Sequence, residues 1–245
     1  MIAQRFAKGL KEQDWAAVVV EVLVVVIGVY VGIFIGEAQQ ERDVQREVNR
    51  SLVVLLDQMK VDLVQLDRVI ASQEMTRGYY QGVMDALEAE EANLPILSQH
   101  LQDALDNNRT FYPNRSAYQS MRDQGYLAQV RDPKLVMGIT VYFESVLERH
   151  RTNSIAVDAA QEVLQVNVRD QYWDRREGRF LGDETDAKVR MWNGFRRVWG
   201  SAGYYIGIMR DFVRPQLVST IKSVEDYLKR EGLKREGPIA EGIAQ

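Results

Sequence analysis

The chain has 245 residues, 46% hydrophobic and 27% charged, which is enough for one folded domain with an anchor and tails and rules out global disorder. A net charge of −4 provides no bulk positive field, so nucleic acid is not an expected partner. There is no cysteine, which excludes disulfides, thiolate nucleophiles and cysteine-based metal or iron–sulfur centres.

Residues 1–14 read as a short N-terminal tail carrying Arg5, Lys8 and Lys11. From Trp15 to Gly36 the chain reads WAAVVVEVLVVVIGVYVGIFIG, with Glu21 as its single charge. As a helix this run is about 30 Å long, the thickness of a bilayer's hydrocarbon core. Valine and isoleucine are poor helix formers in water, but in lipid the backbone has no partner except itself. The length of the run and its internal Glu21 favour a retained anchor over a cleaved signal peptide. Arginines and lysines flank the run almost equally on its two sides, with a slight lean to a cytoplasmic N-terminus. Gly28, Gly32 and Gly36 stand four apart on one helix face, where two backbones can approach closely. That face suits association with a second copy or with another membrane protein, although glycine is also simply common in membrane helices. The carboxylate of Glu21 is costly in lipid, so it protonates, reaches back to the interface or meets a partner in an assembly.

Residues 37–232 read as a helical bundle. Val48, Leu52, Leu55, Met59, Leu63, Leu66 and Ile70 recur at spacings of three and four, an amphipathic helix whose mean period fits a globular bundle better than a heptad coiled coil. No proline precedes Pro95, so the membrane helix can run straight into this one as a stalk, with Gly78 and Gly82 as a possible break. After the acidic stretch Glu88 to Asn93, a short segment carries Leu97, Leu101 and Leu105 on one face. Asn107-Asn108 and Tyr112-Pro113 bracket a loop, and a short helix spans roughly Arg115 to Gln124 with Tyr118 and Met121 inward.

Asp132-Pro133 is an N-cap followed by proline in the first turn. It opens a long helix with a stripe at Leu135, Ile139, Tyr142, Val146, His150, Asn153, Val157, Ala160, Leu164, Val168 and Tyr172. Asp174 to Asp186 reads as a charged loop, and a last helical region begins near Thr185 or Asp186 with Val189, Trp192, Phe195 and Trp199 inward. Pro215 should kink or restart it before Leu217, Ile221, Val224 and Leu228. Residues 233–245 lack periodicity and read as a disordered tail. No alternating run bounded by turns argues for a strand. The expected fold is all-α: one N-terminal transmembrane helix continuing into an antiparallel helical bundle.

Two stretches carry a resemblance. One is Trp15, Glu21 and Gly28-Val29-Tyr30-Val31-Gly32. The other is Ser116-Ala117-Tyr118-Gln119-Ser120-Met121-Arg122-Asp123-Gln124-Gly125-Tyr126-Leu127, continuing through Arg131-Asp132-Pro133-Lys134-Leu135 to Tyr142. Together they resemble a family of bacterial single-pass membrane proteins known only as a domain of unknown function. Phe143 stands where that family has the second tyrosine of a pair. The resemblance implies a bacterial inner-membrane protein with its N-terminus cytoplasmic and its helical domain periplasmic; it brings no activity.

Candidate sites are sparse. His150 lies on the apolar stripe, as a pH-sensitive or ligand-binding group or as a buried, hydrogen-bonded structural histidine. His100 sits among glutamines and reads as exposed. Arg175, Arg176 and Arg179 beside Trp173 could meet an anion, but Asp170, Asp174 and Glu177 interleave with them and favour local pairing. Trp192, Trp199, Tyr204 and Tyr205 line either a pocket or plain core. The segment Ser116 to Tyr126 suggests a specific turn packing. Signatures GxSxG, HExxH, Walker A and GxGxxG do not occur, so no catalytic, cofactor or metal residue is expected, and an enzyme is not. The sequence points to a membrane-anchored interaction or scaffold module, an accessory subunit of a larger assembly or a homo-oligomer. A ligand-sensing bundle acting through a partner is the alternative, and a membrane enzyme a remote one.

Overall fold

The computed structural model describes residues 15–89, 93–106 and 109–232. The N-terminal tail, the Asn107-Asn108 boundary and the C-terminal tail expected to be disordered lie outside the described residues, as do the side chains of Trp15, Leu105 and Val168. The fold is all-α, as expected, with the chain dividing into two compact units, Met1–Val48 and Asn49–Gln245.

Helix α1 spans Trp15–Glu88 without a break. In the first unit it holds the one described helix long and apolar enough to cross a membrane, with a mean hydropathy of 2.7 over its most apolar window and none of that window buried. Val19 to Ile35 expose 47–72% of their large apolar side chains, and a Cβ built on Gly28, Gly32 or Gly36 meets nothing within 4 Å.

The second unit is built from the rest of α1 and the elements after it. These are α2 (Leu94–Asp106), α3 (Ser116–Asp123), a 3₁₀ turn at Leu127–Gln129, and α4 (Pro133–Thr140), which continues through a π-turn, π1 (Val141–Val146), into α5 (Leu147–Leu164). A second π-turn, π2 (Gln165–Arg169), leads to α6 (Asp170–Tyr172) and a hairpin of β1 (Trp173–Asp174) and β2 (Arg179–Phe180). Helix α7 (Glu184–Ile208), π3 (Met209–Val213) and α8 (Arg214–Arg230) complete it.

Side-chain pairings fix the directions. Lys60, Asp67 and Glu74 of α1 pair with Glu225, Arg214 and Arg210, so α1 runs antiparallel to the last helical stretch. Tyr80 of α1 accepts from Gln161 of α5 and packs on Phe195 of α7 at 5.9 Å, while His150 and Ser154 of α5 meet Tyr205 of α7, which sets α5 antiparallel to α7. After α1 come α2 and then an irregular segment, Arg109–Arg115. His100 of α2 packs over Gly82, where a Cβ would lie 3.0 Å from the imidazole. Glycine at that site supplies packing that outweighs its helix penalty of about 1 kcal/mol, which is why α1 does not break there. The closeness also makes His100 half-buried rather than exposed.

The core follows the apolar stripes. Leu52, Leu55, Met59 and Leu66 are fully buried on α1. Farther along, Tyr80, Val83, Met84 and Leu87 pack with Leu97, Leu101 and Ala104 of α2, with Leu164 and Trp173, and with Met191, Phe195, Val198 and Ala202 of α7. Each fully buried large side chain contributes about 1.5–3 kcal/mol.

Three local expectations change and one holds. The 174–186 loop contains a two-residue antiparallel hairpin, Trp173 opposite Phe180, closed by Gly178 at φ 61° and stabilised by an edge-on Trp173–Phe180 contact at 5.2 Å. The long helix from Asp132 is not uniform. The π1 turn inserts one residue, so Phe143 and Leu147 join Tyr142 and Val146 in the interior; farther on, Ser154 and Gln161, which meet Tyr205 and Tyr80, are buried where Asn153 and Ala160 are only half-covered. On α7, which Asp183 caps by accepting from the Asp186 amide at 2.8 Å, Val189 is 55% exposed and Met191 is buried instead. At Pro215 the path restarts as expected: π3 ends at Val213 and α8 begins at Arg214, taking proline in its first turn.

Candidate functional site

The strap Arg109–Arg115 seats one buried residue, Phe111, among exposed and half-buried neighbours. It has no regular structure, yet Phe111 is 1% exposed among the helices. Buried backbone with no ladder, as at Phe111, must find its hydrogen bonds elsewhere. Here the neighbouring helices supply them. From α1, the Gln73 amide donates to the Arg109 carbonyl at 2.6 Å, Gln58 donates to the Asn114 carbonyl, and the Gln58 carbonyl accepts the Ala117 N–H at 3.1 Å. From α5, His150 Nε2–H donates to the Phe111 carbonyl at 2.9 Å. From α7, the Tyr205 hydroxyl accepts the Phe111 N–H at 3.2 Å. Asp158 takes the Thr110 and Tyr112 hydroxyls at 2.6 and 2.7 Å, and Arg115 donates to the Phe143 carbonyl at 2.6 Å.

Phe111 is thus held at both backbone atoms. Ser154 joins the two clamps, its hydroxyl lying 3.2 Å from His150 Nε2 and 3.3 Å from the Tyr205 hydroxyl. The imidazole stacks on Tyr205 at 5.5 Å and is flanked by the Phe111 ring at 5.4 Å. Burial pushes His150 below its ordinary 6.5, partly offset by the Phe111 carbonyl. His150 is therefore a neutral, hydrogen-bonded structural histidine.

Asp62 of α1 faces the lower end of the strap. It is 2% exposed and accepts the Asn114 N–H at 3.4 Å. Burial pushes its carboxyl up from 3.8 to about 6, with the Asn114 amide opposing the rise. Nearby Tyr142 is fully buried, and burial first, then the Asp62 charge, raises its phenol far above 10.

A separate open groove of about 400 Å³ lies between α1 and α7, lined by Glu74, Arg77, Trp199, Gly203 and Arg210 among others. The Arg77 guanidinium lies 3.7 Å from the Trp199 ring centre, and Arg196 sits 4.8 Å from it. Gly203 makes this possible, since a Cβ there would come within 3.2 Å of Arg77. Glu74 pairs with Arg210, and Asp211 borders Gly207, so the groove is close to charge-balanced. Among the described residues no three His, Asp or Glu side chains converge as a metal site would require.

The chain matches the model of a family of unknown function, DUF6090, over residues 21–166. The chain belongs to that family. The DUF6090 match begins at Glu21, within the apolar run, and takes in the rest of α1, α2, the strap, α3, α4, π1 and α5. It stops before the hairpin, α7 and α8, so Asp62, Phe111 and His150 fall inside it while Tyr205 does not. No curated protein and no solved structure matches the chain.

The other sites expected from sequence are dispersed. Arg179 pairs with Glu177, the Asp174 carboxylate caps the Arg176 and Glu177 amides, and Trp173 is 3% exposed, so these arginines do not converge on an anion site. Of the four aromatic residues on α7 expected to line a pocket, only Trp199 borders the groove; Tyr205 is buried, Tyr204 is 62% exposed and Trp192 faces the core in part. Ser116 to Tyr126 is a packing element: Tyr118 stacks on Phe143 at 4.5 Å, and Gly125 turns the chain at φ 73°. Glu21, Gly28, Gly32 and Gly36 stand on the exposed surface of α1. Sequence reasoning missed Asp62, Gln58, Ser154 and Gln161. The available signal was a polar residue in phase with an apolar stripe, Asp62 falling three after Met59 and four before Leu66.

Proposed function

We propose that this DUF6090 member is a membrane-anchored, non-catalytic interaction module. It belongs in the bacterial inner membrane, with the N-terminus cytoplasmic and the bundle on the periplasmic side. It works as an accessory subunit of a larger membrane assembly or as a homo-oligomer. The observation that carries the reading is the wholly uncovered apolar stretch of α1. Within their own unit the side chains from Val19 to Ile35 have no protein cover, and water would leave a continuous apolar run of this size unstable. Lipid is the solvent that suits it. The open glycine face at Gly28, Gly32 and Gly36 supports lateral packing, since small residues let a second helix approach. The groove described above is open and charged, which favours the interaction reading over ligand sensing in a closed apolar chamber.

Extraction of the full chain in a mild detergent, followed by mass determination and identification of co-purifying chains, tests this. The expected result is a stoichiometric complex or a defined oligomer, weakened by Gly32→Leu. A lone monodisperse monomer, or association unchanged by Gly32→Leu, would count against it, and recovery of the full chain in the soluble fraction without detergent would end it.

A further inference from the structure

The strap is tied down at its lower end by a group poorly suited to a dry site. Asp62 lies on the inward face of α1 between the fully buried Met59 and Leu66. Its Oδ1 takes a long bond of 3.4 Å from the Asn114 amide, and its Oδ2, also buried, has no partner among the described residues. Tyr142 of π1 is buried as well, and its hydroxyl is likewise unpartnered among the described residues.

The charged groups on the surrounding elements are committed elsewhere. On the strap, Arg115 is held by the Phe143 carbonyl and by Glu144 at 3.6 Å, and Tyr112 by Asp158. On α1, Lys60 pairs with Glu225 of α8 at 2.5 Å. On α3, Arg122 pairs with Glu144 at 3.2 Å. On α5, His150 is engaged by Phe111. Among the described residues no cation is directed at the Asp62 carboxylate. A buried carboxylate lacking a cation and holding one weak hydrogen bond is tolerated as the neutral acid and is costly as the anion.

We propose that Asp62 is a proton-controlled latch on the strap Arg109–Arg115. Protonated, Asp62 lets the strap stay seated between α1 and α5. Ionised, it leaves an uncompensated charge in the interior, and release of the strap at Asn114 hydrates that charge. Opening would uncover Phe111 and the faces of α1 and α5 beneath it, giving the bundle a contact surface whose exposure follows the acidity of its compartment. This goes beyond the anchoring proposal and does not depend on it.

The sign follows from linkage. A carboxyl held near 6 when seated and at its ordinary 3.8 when hydrated favours the seated form below 3.8. The preference falls as pH rises and levels off above about 6. Between pH 4.5 and 7 these two values give on the order of a twentyfold rise in the opening equilibrium.

Hydrogen–deuterium exchange of the full chain in detergent micelles, corrected for the intrinsic pH dependence of exchange, reads this directly. Protection of peptides covering residues 109–117 should fall by that factor between pH 4.5 and 7, relative to the same peptides of Asp62→Asn. Asp62→Asn should lose that fall and keep only the opposite trend, a rise in protection with pH, that His150 brings at Phe111. The ¹³C resonance of the Asp62 carboxyl in the unmodified chain provides a reading that needs no variant and should titrate near 6. A carboxyl that titrates at an ordinary carboxylate value overturns the proposal, as does strap protection whose pH dependence is unchanged by Asp62→Asn.

Discussion

Replacing Tyr205 by Phe removes one oxygen atom from the middle of the bundle and leaves the ring in place. The stack on His150 at 5.5 Å needs only the ring, so the substitution opens no cavity of consequence. What is lost is the acceptor for the Phe111 N–H at 3.2 Å and one contact to the Ser154 hydroxyl at 3.3 Å. Ser154 keeps an acceptor in the His150 carbonyl at 3.1 Å, so its loss is small. The Phe111 amide is different: Phe111 is 1% exposed, and water does not reach the amide without the strap lifting. An orphaned buried donor costs about 1–3 kcal/mol. Tyr205→Phe should therefore destabilise the bundle by about 1–2 kcal/mol, the lower half of that range because the bond is long. Urea unfolding of the full chain in detergent, followed by far-ultraviolet circular dichroism, measures this as a lower midpoint at unchanged slope. Ser154→Ala in the same series should couple to Tyr205→Phe by about 0.5 kcal/mol or more, since the two hydroxyls share one network. A change below about 0.3 kcal/mol for Tyr205→Phe, or strict additivity of the pair, would refute the two-sided clamp on Phe111.

Two further outcomes follow from the geometry. Gly203→Val should push the Arg77 guanidinium off Trp199, because even a bare Cβ comes within 3.2 Å of it; tryptophan fluorescence should shift while stability changes by about 1 kcal/mol or less, and an unaltered spectrum would count against the stack. His150 should titrate below 6.5 by imidazole NMR, since burial opposes its charge; the stability it brings is full above 6.5 and lost as pH falls, opposite in sign to Asp62, and an ordinary or raised value would contradict the buried neutral assignment.

Much of the architecture could be read in advance because its causes are local. The absence of proline before Pro95 permits a helix as long as Trp15–Glu88, and the start of α4 is written in Asp132-Pro133, where the carboxylate accepts the Lys134 and Leu135 amides at 3.1 and 3.2 Å. What stayed hidden depends on register or on partners distant in sequence. A π-turn adds a single residue, a change that a spacing of three or four absorbs without trace, so Phe143 and Leu147 were not placed inside. Ser154 and Gln161 are buried because Tyr205 and Tyr80 meet them, and those pairs are 51 and 81 residues apart. Asp62 broke the apolar phase of α1 openly, and reading only the apolar letters passed over it. The composition of Arg109–Arg115 says loop, which is right, but nothing in it says that Phe111 is buried among the helices.

The reason for an extended strap in the place of a helix is a matter of reach. Between Gln58 and Gln73, the α1 residues that grip the strap, α1 rises about 22 Å. The strap answers with only the residues from Arg109 to Asn114, which would span less than about 10 Å as a helix and about 17 Å when extended. Extended chain closes most of the gap, and the long glutamine side chains cover the remainder. The consequence is a backbone that owes its hydrogen bonds to Gln58, Asp62, Gln73, His150 and Tyr205 instead of to itself. These anchors are not equivalent. At Phe111 the partners are neutral and well placed, so removing one weakens the seat. At Asn114 the partner is a buried carboxylate, so making it permanently neutral strengthens the seat at neutral pH. Tyr205→Phe and Asp62→Asn should therefore move strap protection in opposite directions at pH 7, a pair of signs that a strap held only by apolar packing would not produce.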